Sequence, residues 1–154
     1  MSQYKKQIKL NEDRLYNIIL KLSRNKLLYT KLELADTFQN RIYLIFFHIS
    51  FLFIKIKQKD KSNFYINFYQ KMFDCIFRRI EVNMREVGHG DMSVNKNMKF
   101  LVKVFYNILL NCEKYKSKNL KEKNLLLNKY LEQNTKKKGI NDNALVDYFD
   151  KYEA

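Results

Sequence analysis

The chain has 154 residues, 46% of them hydrophobic and 15% aromatic, and its 30 Lys and Arg outnumber 16 Asp and Glu to leave a net charge of +14. That apolar content argues against disorder, and the length suits one domain, residues 1–154, able to bury a real core. With no proline and only three glycines, turn formers are too scarce for an all-β fold. Apolar residues recurring every three to four positions point to helices.

Residues 1–10 read as a flexible or frayed N-terminus. A first helix is predicted over Glu12–Arg24, with Leu15, Ile18, Ile19 and Leu22 on one face and Glu12 and Asp13 at its positive end. Residues 25–35 read as a loop or short turn anchored by Leu27, Leu28 and Tyr29. Asp36-Thr37-Phe38-Gln39 fits a capping box, with Asp36 as cap and Gln39 reaching back. It opens a second helix from Thr37 to about Gln58, apolar nearly all round as a central helix is. A third helix is predicted over Ser62–Val87. Phe68, Met72, Ile76, Ile80 and Met84 recur there at spacing four, and Gly88 fits its C-cap. A fourth starts near Ser93 or Val94, capped by Asp91 or Ser93, and its seam is Met98, Leu101, Phe105, Ile108 and Cys112. Leu120–Gln133 and Asn143–Tyr152 are the fifth and sixth, with Gly139 in the hinge between them. The last is acidic in a basic protein, which suits folding back onto a basic face. The expected architecture is all-α: a single-domain bundle of five or six helices, with a glycine-containing turn between two long ones.

The apolar run from Ile42 to Ile54 is too short to span a bilayer and reads as a buried core helix. No secretory signal or transit peptide is evident in the first residues. Cys75 and Cys112 fit neither a C-x-x-C motif nor a disulfide framework, and their apolar helical settings suit buried thiols. The charge is compatible with RNA, an anionic membrane surface, an acidic protein or simply a solvated basic face. Lys136-Lys137-Lys138 is too short for a nucleic-acid motif.

Two of the three glycines, Gly88 and Gly90, stand in Met84-Arg85-Glu86-Val87-Gly88-His89-Gly90-Asp91-Met92-Ser93-Val94. In a chain so poor in backbone breakers they mark a sharp connection between helices. The context is wrong for a phosphate loop, which needs a preceding strand with a third glycine, or a Gly-Lys-Ser/Thr ending. Glu86, His89 and Asp91 are metal-binding residue types, but one loop with one histidine lacks the recurring spacing of a metal site. Arg85 is placed to fork onto Asp91 or Glu86 and lock the turn, with Lys96 and Lys99 nearby. The same locked turn can serve as a partner-binding surface. His48 reads as a core histidine, and no nucleophile–histidine pair can be argued. These residues indicate no enzyme and no cofactor or metal.

Three blocks resemble the ubiquinol–cytochrome c chaperone family. The first is Asp36-Thr37-x-x-Asn40-Arg41 followed by His48. The second is Met72-Phe73-Asp74, then Met84 through Val94, Lys96, Met98-Lys99 and Phe105-Tyr106. The third, weaker, is Leu126–Tyr130 with Ala144–Phe149. The resemblance implies an all-helical, non-catalytic assembly factor for cytochrome b of the respiratory ubiquinol–cytochrome c reductase. It implies binding of newly made cytochrome b at or near the ribosome, a small partner protein, and a place at the inner membrane (the matrix side if organellar). Carried onto this sequence, the partner-binding or turn-locking residues are Arg85, Glu86, Gly88, Gly90, Asp91, Ser93, Lys96, Lys99, Phe105 and Tyr106. Asp36, Arg41, His48 and Phe73 match structural positions. Asn107-Ile108 stand where the family usually has Gly-Arg, and Asn95 where Pro or Gly is common. Two other readings stand beside this one: a basic helical RNA- or ribosome-binding protein, and a small enzyme acting on a quinone or lipid near His48.

Overall fold

The structure is a computed structural model that describes residues 2–59, 64–134 and 143–153. Seven α-helices follow one another among these residues: α1 (Ser2–Ser23), α2 (Lys26–Thr30), α3 (Phe38–Lys59), α4 (Phe64–Glu86), α5 (Asp91–Glu113), α6 (Leu120–Tyr130) and α7 (Ala144–Glu153). A short 3-10 turn, Tyr115–Ser117, follows α5.

The all-α expectation holds. α3 is the axis of the bundle and packs against α1, α4, α5 and α7. Its residues Ile42–Phe51 are all buried, as an apolar circumference requires. α4 turns Met72, Ile76, Ile80 and Met84 inward, and α5 turns Leu101, Phe105, Ile108 and Cys112. Phe46 meets Phe105 edge-on at 5.3 Å and Phe77 at 5.6 Å, which ties the three long helices together. Burying each such ring contributes roughly 2–3 kcal/mol before entropy.

Several boundaries differ from expectation. α1 begins at Ser2, well before Glu12. It faces the core with Tyr16 and Ile19, whereas Ile18 is 55% exposed. The segment expected as a loop contains α2, which Asn25 caps by accepting from the Leu27 N–H at 3.1 Å. There Leu28 is buried and Leu27 is exposed. The cap of α3 is Thr37, whose Oγ1 accepts from the Asn40 N–H at 3.1 Å. Asp36 is instead held by the Arg41 guanidinium at 2.7 Å, and Gln39 donates to the Tyr43 hydroxyl. α5 starts at Asp91 and its cap is Gly90, so neither Asp91 nor Ser93 serves as N-cap. α6 ends at Tyr130, three residues before Gln133. Ser62, Gly139 and the Lys136-Lys137-Lys138 run lie outside the described residues.

The chain after α6 is clipped back to the start of α3. Asn40, buried, donates through Nδ2 to the Ala35 and Glu132 carbonyls (both 2.8 Å) and accepts at Oδ1 from the Glu132 N–H at 3.0 Å. The Ala35 N–H adds a bond to the same Glu132 carbonyl at 2.9 Å. α7 then folds back with its acids on lysines: Asp150 on Lys123 at 3.1 Å and Glu153 on Lys116 at 3.0 Å.

Candidate functional site

The glycine turn joins α4 to α5. Gly88 has φ +104°, a conformation that glycine adopts without steric cost. The His89 N–H bonds to the Met84 carbonyl and the Gly88 N–H to the Arg85 carbonyl, both at 3.1 Å. That pair of bonds is a Schellman closure. Gly90 differs: at φ −75° and ψ 167° it is extended, and it accepts the first bond of α5 from the Val94 N–H at 2.9 Å.

Arg85 spans the turn. One guanidinium nitrogen donates to Asp91 at the start of α5, and the other to Glu81 one turn back on α4, at 3.1 Å. These partners hold the Arg85 guanidinium above its usual value. Glu86 takes no part in this fork and lines a neighbouring hollow instead. The Ser93 hydroxyl and the His89 ring nitrogen Nδ1 approach to 3.2 Å. Lys96 and Lys99 project to solvent from the first turns of α5.

Two apolar hollows flank the turn and share Phe38 and Ile42. One, of about 180 Å³, lies between α3, α4 and α5 and is lined by Tyr43, Met84, His89 and Phe100. The other, of about 220 Å³, lies between α1, α3 and α4 and is lined by Leu20, Ile45, Ile80 and Val87, with Arg24, Arg41 and Glu86 at its edge. Of their lining residues Val87 is 69% exposed and Phe100 56%; Met92, in the first turn of α5, is 88% exposed.

Phe105 and Tyr106 are not at the turn. They lie fourteen and fifteen residues along α5 from Asp91, roughly 20 Å at the helical rise. Phe105 is buried in the aromatic core, and Tyr106 stacks on Phe73 with ring centroids 6.0 Å apart. Phe105 thus presents no exposed surface in this fold, unlike the half-exposed Tyr106.

His48 is buried at the centre of α3. Its Nδ1–H donates to the Leu44 carbonyl at 2.6 Å, and its Nε2 accepts from the Tyr148 hydroxyl at 2.6 Å. Tyr152 donates to the His48 carbonyl at 2.8 Å. Burial pushes the imidazole down to about 4, against the opposing pull of the Leu44 carbonyl. His48 is thus a neutral clasp between α3 and α7, with both ring nitrogens occupied. Burial likewise raises the Cys75 and Cys112 thiols.

Sequence reasoning overlooked the rim residues Phe38, Val87 and Phe100. A signal was present for Phe100, an aromatic off the seam of Met98, Leu101 and Phe105. It also overlooked Tyr148 and Tyr152 as the partners of His48, because nothing local links residues a hundred positions apart.

A profile of the ubiquinol–cytochrome C chaperone family matches residues 30–149. The chain belongs to this family. Its membership supports a chaperone or assembly role connected with ubiquinol–cytochrome c reductase and implies a non-enzymatic one. The fold is similar to the crystal structure of the Cbp3 homolog from Brucella abortus, with a TM-score of 0.70 and 22% identity over 88% of this chain and 76% of that one. No curated protein matches the sequence. Among the described residues no helix is long and apolar enough to cross a membrane.

Proposed function

We propose that this chaperone-family protein binds newly made cytochrome b and supports its assembly into the respiratory ubiquinol–cytochrome c reductase. The observation that carries the reading is the family match over residues 30–149. The chemistry of the turn supports it. A membrane subunit in the making presents apolar helices that need cover, and apolar hollows rimmed by aromatic and methionine side chains suit a helix laid in a groove. The Schellman closure and the Arg85–Asp91 pair hold the rim in one geometry, which lowers the ordering cost of binding. Basic faces keep the protein near ribosomal phosphates or anionic head groups at the inner membrane, with a small partner protein joining the complex.

The test is a deletion strain whose membranes are read by reduced-minus-oxidised spectra and by immunoblot for cytochrome b. Selective loss of cytochrome b, restored by the wild-type gene but not by a folded Arg85→Ala, Asp91→Ala form, is the expected result. Normal cytochrome b would overturn the reading. The net charge of +14 favours one competitor, a ribosome- or RNA-binding protein. Salt separates the two, since phosphate contacts weaken steeply as salt rises and an apolar grip does not.

A further inference from the structure

The hollow between α1, α3 and α4 joins an apolar slot to a cationic basin. Leu20, Ile42, Ile45 and Ile80 line the slot, with the exposed Phe38 and Val87 beside them. Its volume of about 220 Å³ is below the roughly 300–1,000 Å³ of a site that encloses a whole small molecule. A single large apolar side chain suits it better. Arg24 and Arg41 line this slot and also a second, open hollow of about 480 Å³, which Lys26, Tyr29 and Asp36 share. The two arginines therefore stand where the apolar surface ends and the polar basin begins.

The arginines differ in what they already hold. Arg41 donates to Asp36 at 2.7 Å. Arg24 has no carboxylate within ion-pair distance among the described residues, although Glu86 lines the same slot. Its backbone is fixed from both sides. The Arg24 N–H donates to the Leu20 carbonyl at 3.0 Å, just past the end of α1, and the next residue, Asn25, caps α2. The Tyr29 hydroxyl donates to the Ser23 carbonyl at 3.0 Å and ties α2 to the same joint. Arg24 is thus an exposed guanidinium on a rigid joint, beside an apolar slot and without an acid of its own. Such a group can receive a carboxylate on two parallel N–H bonds.

We infer that this hollow reads a two-part signal in the segment it binds: a large apolar side chain in the slot, and an Asp or Glu one helical turn away on Arg24. Residues three or four apart share a face of a helix, so an amphipathic segment presents both groups at once. Arg24 is then a specificity-determining residue. It favours apolar segments that carry an acid at that spacing and disfavours those that carry Lys or Arg there. Charge complementarity selects this occupant over a second copy of the chain, whose net charge is +14. A single carboxylate gives binding only a shallow dependence on salt, unlike a run of phosphates. The inference rests on the reading that the protein binds newly made cytochrome b, and it adds which segments of that subunit are held.

The test measures peptide binding to the purified full chain by fluorescence anisotropy. The probes are short overlapping peptides tiled along cytochrome b, and peptides of the same apolar–acidic spacing from unrelated membrane proteins. Each binder is also made with its acid changed to Lys. The tightest binders should carry Asp or Glu three or four positions from a large apolar residue. Changing that acid to Lys, or changing the protein by Arg24→Glu, should weaken binding by about tenfold, and combining the two changes should recover most of the loss. Lys129→Glu alters the net charge equally but lies on α6 and lines neither hollow, so it should change binding by less than about twofold. Circular dichroism checks each fold; Arg24→Gln, paired with peptides carrying Gln for the acid, serves the same comparison if Arg24→Glu does not fold. Peptides of cytochrome b that bind with no dependence on their acid or on Arg24 would overturn the inference and leave the cytochrome b reading standing. Binding and charge recovery with the unrelated peptides but none with those of cytochrome b would sustain the two-part recognition and remove that reading. Binding of neither set would overturn the inference.

Discussion

Serine at Gly88 and serine at Gly90 are the same chemical change two residues apart, and they should act in opposite directions. A Cβ added at either position meets nothing within 4 Å, so crowding contributes at neither. At Gly88 the backbone holds φ +104°, and a side chain there costs about 1–2 kcal/mol of conformational energy. At Gly90 φ is −75° and ψ 167°, the extended geometry of an N-cap that has no side-chain cap bond. Serine suits that position, can accept from the next turn, and narrows the unfolded ensemble, for a gain of about 0.5–1 kcal/mol. The two variants should therefore differ by about 2 kcal/mol. Urea denaturation followed by circular dichroism reads this as midpoints on either side of the wild type at equal slope. Equal losses, or a larger loss at Gly90, would refute the assignment of the left-handed position to Gly88 and with it the Schellman closure.

Other expectations follow from the same structure. Asn40→Ala removes three hydrogen bonds of a buried side chain, two of them to Glu132 after α6 and one to Ala35 before α3; a loss of about 3 kcal/mol is expected in the same denaturation assay, and a loss below about 0.5 kcal/mol would show the clip to be dispensable. The folded His48 value of about 4 lies below the ordinary 6.5, so the unfolded chain takes up the proton first as pH falls. Its share of stability is whole above about pH 6.5 and is lost between there and about pH 4, a slope worth up to about 3 kcal/mol. Comparing wild type with His48→Phe across that window isolates it, and parallel profiles would contradict the neutral clasp. Buried, raised thiols at Cys75 and Cys112 should react with a thiol reagent only as the protein unfolds; rapid labelling of the native protein would contradict this. Arg85→Ala breaks pairs whose members are largely exposed, so it should leave the denaturation midpoint nearly unchanged, and a large shift would show that the fork holds the fold itself.

The helices were legible because their signals are local and repeated. Met72, Ile76, Ile80 and Met84 mark the inner face of α4, and Leu101, Phe105, Ile108 and Cys112 that of α5, whatever they pack against. Gly88 was legible for the same reason, since a scarce glycine after a long apolar period has one common use. The caps of α3 and α5 were not. Two adjacent candidates, Asp36 and Thr37, differ only in which one another residue claims, and Arg41 claims Asp36. Asp91 is likewise taken by Arg85 across the turn. The exposed rim escaped notice because periodicity reports what a helix buries. Val87 and Phe100 stand out only once the fold shows that nothing covers them. The Asn40 clip and the His48–Tyr148 bond join residues 92 and 100 positions apart, and no local pattern encodes such pairs.

Photo-crosslinking in living cells during a short pulse of radiolabel tests the central claim most directly. A photoreactive residue at Phe100 or Val87, which line the hollows, should capture newly labelled cytochrome b within the pulse and release it on the chase. The same probe at Leu125, exposed on α6 and lining neither hollow, should not. Failure of both rim positions to capture cytochrome b, in cells where the tagged protein is folded and supports normal haem spectra, would contradict the account.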